Sequence, residues 1–339
     1  MAGGFEFAPL VESELPAAII FLRNVFGAAE DEMVRAFRPD VMRWKCFGTH
    51  PYWEGSRAYA VRHRGNIVAY GAIAPSEILV GNSAVRTFCL MDWAAHKDFP
   101  GTGVLVYTQL QRLADVPLAV GGSEAAKAII PKLGYRLRED QIIYGRVIRP
   151  WKHFRAAKEQ NWKSPVKLLR DIAYSSRGTG RTRLSAQRAD RFDDRLSPVL
   201  PKAGDVLLLR RTVDFLNYAL LCPAAEMNGY YIYQGGTLLG YCILSRVGNQ
   251  CRIADLWIEA TNSADWRAAY ALATRLASRY PEVTEVVAAV GMPEAQTGIR
   301  TAGFRPLQTE PVRARDPRGL LPANKPLSLS LLDNDHYYL

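Results

Sequence analysis

The sequence predicts an α/β (α+β) chain made of two tandem copies of one fold, with a ligand-binding loop in the first copy only. Three observations predict it. Strand-like and helix-like stretches alternate along both halves of the chain. Two glycine landmarks recur at one spacing: Gly71 in VAYGAI with Gly240 in LLGYCI, and Gly134 in KLGYR with Gly303 in TAGFR, each pair 169 positions apart. Two independent landmarks at one offset argue for duplication. A glycine-rich segment, Pro100-Gly-Thr-Gly103, joins a strand to a helix in the first half and has no counterpart in the second.

Length and composition agree with two domains. A chain of 339 residues that is 48% hydrophobic can bury a large core without a metal or disulfides. The five cysteines form no CxxC pair and no histidine stands at zinc-ligand spacing, which argues against a disulfide framework or a zinc site and points to a reducing cytoplasm. MAGGFEF lacks a basic start followed by an apolar stretch. No later apolar run reaches the roughly 18 residues that a membrane-spanning helix needs, so a soluble chain is expected. A net charge of +10 favours anionic partners: nucleic acid, acidic membrane surfaces or phosphate-bearing small molecules.

The elements follow in order. A short strand is expected near Phe5 to Leu10, then helices over Leu15 to Phe26 and Asp31 to Phe37. Tyr59-Ala-Val-Arg-His-Arg alternates, Gly65-Asn66 supplies a tight turn, and Ile67 to Ile73 continues as the hairpin partner. A third strand, Val85 to Trp93, leads into the glycine segment. Val106, Leu110 and Leu113 then mark a helix over Val104 to Ala114, and Val116 to Val120 reads as a short buried strand. A helix from Ser123 to Leu133 stops at Gly134, which suits the left-handed position after a helix. The second half repeats this order, with Asp255-Leu-Trp257 on the strand comparable to Asp92-Trp93.

Between the halves the chain is basic, with cations throughout residues 149 to 191 against few acids. One reading is a solvated linker helix followed by a flexible Ser-Ser-Arg-Gly-Thr-Gly segment. The other uses Trp151, Phe154, Trp162, Leu168 and Leu169 among the cations as a peripheral membrane contact. The expected division is residues 1–148, a basic linker 149–181, and 182–339.

Strand, glycine loop, helix, strand, helix, then Gly-aromatic is an order in which backbone N–H groups at a helix start can cradle a pyrophosphate. The residues that carry it are Asp98-Phe-Pro-Gly101-Thr102-Gly103 and Gly121-Gly-Ser123-Glu-Ala-Ala126-Lys-Ala-Ile-Ile130-Pro-Lys132-Leu-Gly134-Tyr135. In them the chain resembles the GNAT superfamily of acyl-CoA-dependent acyltransferases, over roughly residues 5 to 148 and more weakly over about 182 to 332. The resemblance implies, for each copy, a mixed, mostly antiparallel sheet flanked by helices. It implies coenzyme A or an acyl-CoA such as acetyl-CoA as cofactor, held by Gly101, Thr102, Gly103, Val104 and Ser123. Strand N–H groups near Met91 and Trp93 would face the thioester carbonyl. Two departures stand out: Asp98 occupies a position where the family has Gln or Arg, and Ile130 one where many members place the tyrosine that protonates the leaving thiolate.

Acyl transfer to an amine or hydroxyl needs a route for the nucleophile's proton. Asp92 is the carboxylate on the relevant strand, although a carboxylate in an apolar strand is also read as a buried structural group. His96, just beyond, can titrate near neutral pH, or simply be a solvated loop histidine. His50, Tyr52, Trp53 and Glu54 lie where the resemblance implies an acceptor site, and their mix of rings and polar edges suits a small or carbohydrate-like acceptor. An aromatic loop packed on the core is the alternative. The second copy, lacking glycine between Trp257 and Trp266, is expected to be degenerate and to wall the acceptor cleft. Two other functions stay open: a Fem-type ligase drawing on aminoacyl-tRNA, and a non-catalytic acyl-CoA-binding scaffold.

Overall fold

Both faces of the first-half sheet are covered, which is why its strands read as apolar runs. In the computed structural model, which describes residues 4–27, 35–156, 164–175, 182–260 and 262–338, β1 (Phe5–Pro9), β2 (Ala58–His63), β3 (Asn66–Val80) and β4 (Ser83–Ala95) form an antiparallel meander. Along β2, Ala58 and Ala60 pack in one cluster with α1 (Leu15–Phe26) and α2 (Pro39–Phe47). Tyr59 and Val61 point the other way, to Val106 and Leu110 of α3 (Thr102–Leu110). The tight turn between β2 and β3 is Arg64-Gly65 rather than Gly65-Asn66: both central residues have positive φ, 51° and 78°, as a two-residue hairpin turn demands.

After β5 (Leu118–Val120), the expected helix up to Leu133 is split. α4 (Glu124–Ile129) tightens into a 3₁₀ turn at Ile130 to Leu133, where Pro131 cannot donate an α-helical hydrogen bond. Gly134 then takes φ 87°, and Gly303, its partner in the 169-residue spacing, takes φ 90°. The linker holds two helices, α5 (Pro150–Ala156) and α6 (Ser164–Ser175). The expected helix at Asp31 to Phe37 and the Ser-Arg-Gly-Thr-Gly segment lie largely outside the described residues, as do Trp162 and several linker cations.

The second half contributes β7 (Leu184–Ala189), α7 (Val213–Leu220), β9 (Glu226–Gln234), β10 (Thr237–Val247), β11 (Gln250–Ile258), α8 (Ser263–Ala277), β12 (Glu285–Val290), α9 (Pro293–Thr301) and β13 (Arg305–Ala314). A separate pair, β8 (Leu207–Leu208) with β14 (Leu327–Ser328), lies outside the main sheet. The main sheet has 12 strands in the order β1-β2-β3-β4-β5-β13-β6-β12-β11-β10-β9-β7. Here β6 (Arg136–Val147), from the first half, lies between β13 and β12, and β13 lies between β5 and β6. Outward from the centre the flanks run in one order, each beginning with the strand that the other half supplies. We propose that they are two copies that have exchanged their last strands. The sheet is continuous across the expected boundary near residue 148.

A fragment that ends at 148 therefore keeps β6 with neither of its neighbours and leaves β5 without β13. We expect residues 1–148 and 149–339 to be insoluble or unfolded when expressed apart and to give one folded species when co-expressed, read by gel filtration and circular dichroism. A folded, monomeric 1–148 fragment would contradict the strand exchange.

Candidate functional site

The site is organised by a bulge. Ala72 pairs with Met91 and Tyr70 with Ala94, so Gly71 on β3 faces two residues of β4, Asp92 and Trp93. Asp92 takes a left-handed backbone, φ 49°. A side chain at Gly71 would meet Val106 and Leu110 at under 3.0 Å, so glycine there lets α3 seat on the bulged strands.

On one side of the bulge lies the glycine loop. Gly101 caps α3 with φ 86° and offers no side chain, so no side chain satisfies the first N–H groups of that helix. Thr102 is buried with its hydroxyl spent on the Phe99 carbonyl at 2.7 Å. Val104 is 37% exposed in the first turn, and Ser123 caps α4 through the Ala126 N–H. Gly103 faces protein rather than open space: the Trp93 indole donates to its carbonyl at 2.9 Å. Asp98 points to solvent and to His96, 3.8 Å away. The wedge between β4 and β5, which pair only at Cys89 and Leu118, is filled by Trp93, Tyr107, Ile130 and Tyr135. The ring of Tyr107 lies edge-on to Trp93 at 4.9 Å and to Tyr135 at 5.2 Å, and burial together with the neighbouring Tyr135 hydroxyl holds its phenol above the usual range.

In the second half the equivalent features are reversed. The wedge between β11 and β12 holds a cavity of about 50 Å³ lined by Ile253, Leu256, Trp257 and Trp266. The start of α8, however, is capped by Asn262, which accepts from the N–H groups of Ala264 and Asp265.

On the other side of the bulge, α2, β3 and β4 of the first half meet α7 and the C-terminal segment around a cavity of about 40 Å³. That is room for roughly three waters. Trp44 stacks on Tyr218 at 4.9 Å, and Arg57 fixes the end of α2 by donating to the carbonyls of Trp44, Lys45 and Gly48. Four residues of the cavity wall carry a buried polar atom without a partner: Trp44 Nε1, Ser76 Oγ, Asn334 Nδ2 and the Tyr338 hydroxyl. His50 lines the cavity too. Its Nδ1 accepts the Tyr52 N–H at 3.2 Å, so Nε2 carries the proton. Burial, helped by Arg57, pushes its pKa down to about 3, leaving a neutral ring that donates.

Behind this wall Lys45 and Asp92 form a buried ion pair, Nζ to Oδ2 2.5 Å, with 2% and 7% of their side chains exposed. Burial pulls the Lys45 ammonium down, but the Asp92 carboxylate outweighs it and holds the pKa above the usual value. Asp335, on the C-terminal segment, is held above the usual carboxylate range by burial, against the opposing charges of His336 and Lys45. The comparable strand of the second half repeats the arrangement, with Asp255 held by Arg211 at 2.6 Å and by the Tyr241 hydroxyl at 2.8 Å.

The structure thus gathers Met91, His50 and, through Lys45, Asp92 around one cavity. Tyr52 packs at its edge against Phe215 and donates to the Arg210 carbonyl. Trp53 turns toward the α3 face with its indole on the Ser56 carbonyl, and Glu54 is exposed, so neither lines the cavity. His96 is half-buried in the glycine-loop turn, its Nδ1 accepting the Asp98 N–H. Lys45, Arg57, Tyr107, Tyr218 and Tyr338 were not singled out from the sequence. Tyr107 had a signal, one helical turn after Gly103. Tyr218 and Tyr338 had none.

No protein-family model matches the chain, and no curated protein matches it in sequence. Solved structures do match it in shape. A GCN5-related N-acetyltransferase from Anabaena variabilis superposes with TM-score 0.58 at 9% identity, covering 92% of this chain and 72% of its own. An Enterococcus faecalis protein described as a probable N-acyltransferase gives 0.57 at 12%, with 92% and 72% covered. The N-myristoyltransferase of Saccharomyces cerevisiae, with bound myristoyl-CoA, gives 0.58 at 13%, with 98% and 84% covered. Identities this low speak for architecture alone, and the architecture is that of the GNAT fold.

Proposed function

We propose that the protein transfers an acyl group from coenzyme A to an amine that enters the cavity between the halves. One observation carries this reading: the bulge at Asp92 stands between a helix start with no side-chain cap and a largely apolar cavity into which His50, Ser76 and Asn334 bring polar groups. A thioester whose phosphates lie on α3 would present its carbonyl at the bulge, and a nucleophile from the cavity would meet it there. The neighbours described as N-acetyltransferases and N-myristoyltransferase support an N-acyl product and an acyl-CoA donor. With room for about three waters, the cavity suits the end of an amine or hydroxyl chain rather than a sugar ring. His50 would donate from Nε2 to the acceptor or the oxyanion. Tyr107, beside Ile130, would return a proton to the thiolate; burial and the neighbouring Tyr135 hydroxyl keep its phenol protonated, which supports that role. Asp92 would draw the amine's proton with Lys45 as its counter-ion. Thermal stabilisation by coenzyme A, followed by thiol release from acetyl-CoA with an amine library, tests the function. Salt-sensitive tRNA binding without coenzyme A binding would instead favour the aminoacyl-tRNA ligase.

Val104→Glu separates cofactor binding from folding. A carboxylate in the first turn of α3 favours the helix but repels phosphate, so the melting temperature should hold or rise while coenzyme A affinity falls at least about tenfold. Unchanged affinity by calorimetry would remove α3 from the site.

Asp92→Asn leaves Lys45 buried without its counter-ion and should lower stability by about 3–5 kcal/mol. The double variant Lys45→Met, Asp92→Asn should recover most of that. If Asp92 handles the acceptor's proton, the refolded double variant still shows kcat down by roughly 10²–10⁴; full activity would make the pair purely structural.

Tyr107→Phe removes a buried hydroxyl whose neighbour is the Tyr135 hydroxyl, so stability should change by no more than about 1 kcal/mol. Turnover should fall by about 10²-fold if that hydroxyl protonates the thiolate. Single-turnover rates equal to wild type would leave protonation to water.

A further inference from the structure

The basic linker is not used by the proposed chemistry, and its helices carry an apolar face that nothing among the described residues covers. α6 buries Leu168 and Asp171, the latter paired with Arg305 at 3.1 Å, and is tied to β6 by the Arg146 guanidinium on the Ser175 carbonyl. Its other side is open: Val166 is 65%, Leu169 68% and Ile172 38% exposed, at the three-residue spacing of one helical stripe. Neighbouring α5 is anchored by Arg149, Lys152 and His153 to the residues 278–284 region, and Trp151 turns away from it, 61% exposed. The cations Arg155, Lys167 and Arg170 neighbour these apolar residues in sequence, Arg170 also pairing with Asp171 at 3.1 Å. Over residues 149–183 there are ten lysines and arginines against two acids.

We infer that α5 and α6 form a surface that docks the protein on an anionic lipid bilayer. An exposed apolar stripe flanked by cations matches a membrane interface in both its apolar and its charged parts: apolar side chains enter the acyl boundary while the cations meet lipid phosphates. A second copy of the chain is the poorer occupant, because apposing the same face brings the same cations together. RNA would use the cations but leave Val166, Leu169 and Ile172 in water. Docking would place an acyltransferase where acyl-CoA with long chains and amines in lipid headgroups are both at hand.

The test uses the full chain with vesicles of phosphatidylcholine alone and with added phosphatidylglycerol, read by co-sedimentation and by tryptophan emission. Binding is expected only to the anionic vesicles, weakening as salt rises. Leu169→Glu and, separately, Trp151→Glu should each weaken it at least about fivefold while leaving the melting temperature unchanged, since both side chains are exposed. Absence of binding to anionic vesicles would overturn the proposal. So would binding that neither variant weakens, or gel-filtration mass showing that the same variants dissolve a dimer, or tRNA binding that competes with vesicles and ignores both variants.

Discussion

The centre of the molecule depends on β6 and β13 lying between the two flanks of the sheet. Each is the last strand that its half gives to the main sheet, and each pairs with the other half's flank. The consequence is geometric: α2 of the first half and α7 of the second are brought to one face, with the C-terminal segment between them, and the cavity forms where they meet. A chain whose halves each closed on their own would have a linker to set their angle. Here twelve strands in hydrogen-bonded register set it, and the wall groups, from Trp44 on one side to Tyr218 on the other, inherit that fixity.

Around this centre both halves bury a carboxylate on the strand before the crossover helix and neutralise it with a cation from elsewhere in the chain. Lys45 reaches Asp92 from α2, and Arg211 reaches Asp255 and Asp333. Such pairs add little net stability, because desolvation nearly cancels attraction, yet either partner alone would cost several kcal/mol. They specify position. Arg211 anchors the C-terminal segment through Asp333 and Ser330, and Asp333 lines both cavities, so the segment cannot shift without exposing a charge.

Much of the fold was legible because it rests on local signals. Period-two alternation found β2, the tight turn after it found β3 as its hairpin partner, and the glycine loop fell at the start of α3. The placing of β6 and β13 side by side at the centre of the sheet was not legible, since strand order is set by long-range pairing that leaves no local mark. The site divides the same way. His50, expected at an acceptor site, lines the cavity, and so does Met91, whose strand N–H was expected to face a thioester carbonyl. Trp53, three positions after His50, turns to the opposite face. The helix over Pro39–Phe47 was not expected, and Lys45 on it was passed over because a lysine is usually solvated; its burial follows only from Asp92 on a strand far away in sequence.

The filled wedge beside α3 bears on how a cofactor can bind there. Trp93 occupies the space next to Gly103 with one hydrogen bond and edge-on ring contacts to Tyr107. A neutral hydrogen bond contributes about 1 kcal/mol net and an aromatic pair about another. Displacing the indole thus costs about 2 kcal/mol, roughly thirtyfold in affinity, against about 8 kcal/mol for a micromolar ligand. The obstruction weakens binding without closing the site. In the second half the balance is opposite, with space in the wedge but the helix N–H groups already satisfied by Asn262. Space can be made by moving a side chain, whereas phosphate contacts cannot be made from N–H groups that a side chain already holds, and this physical asymmetry favours the first half for the cofactor.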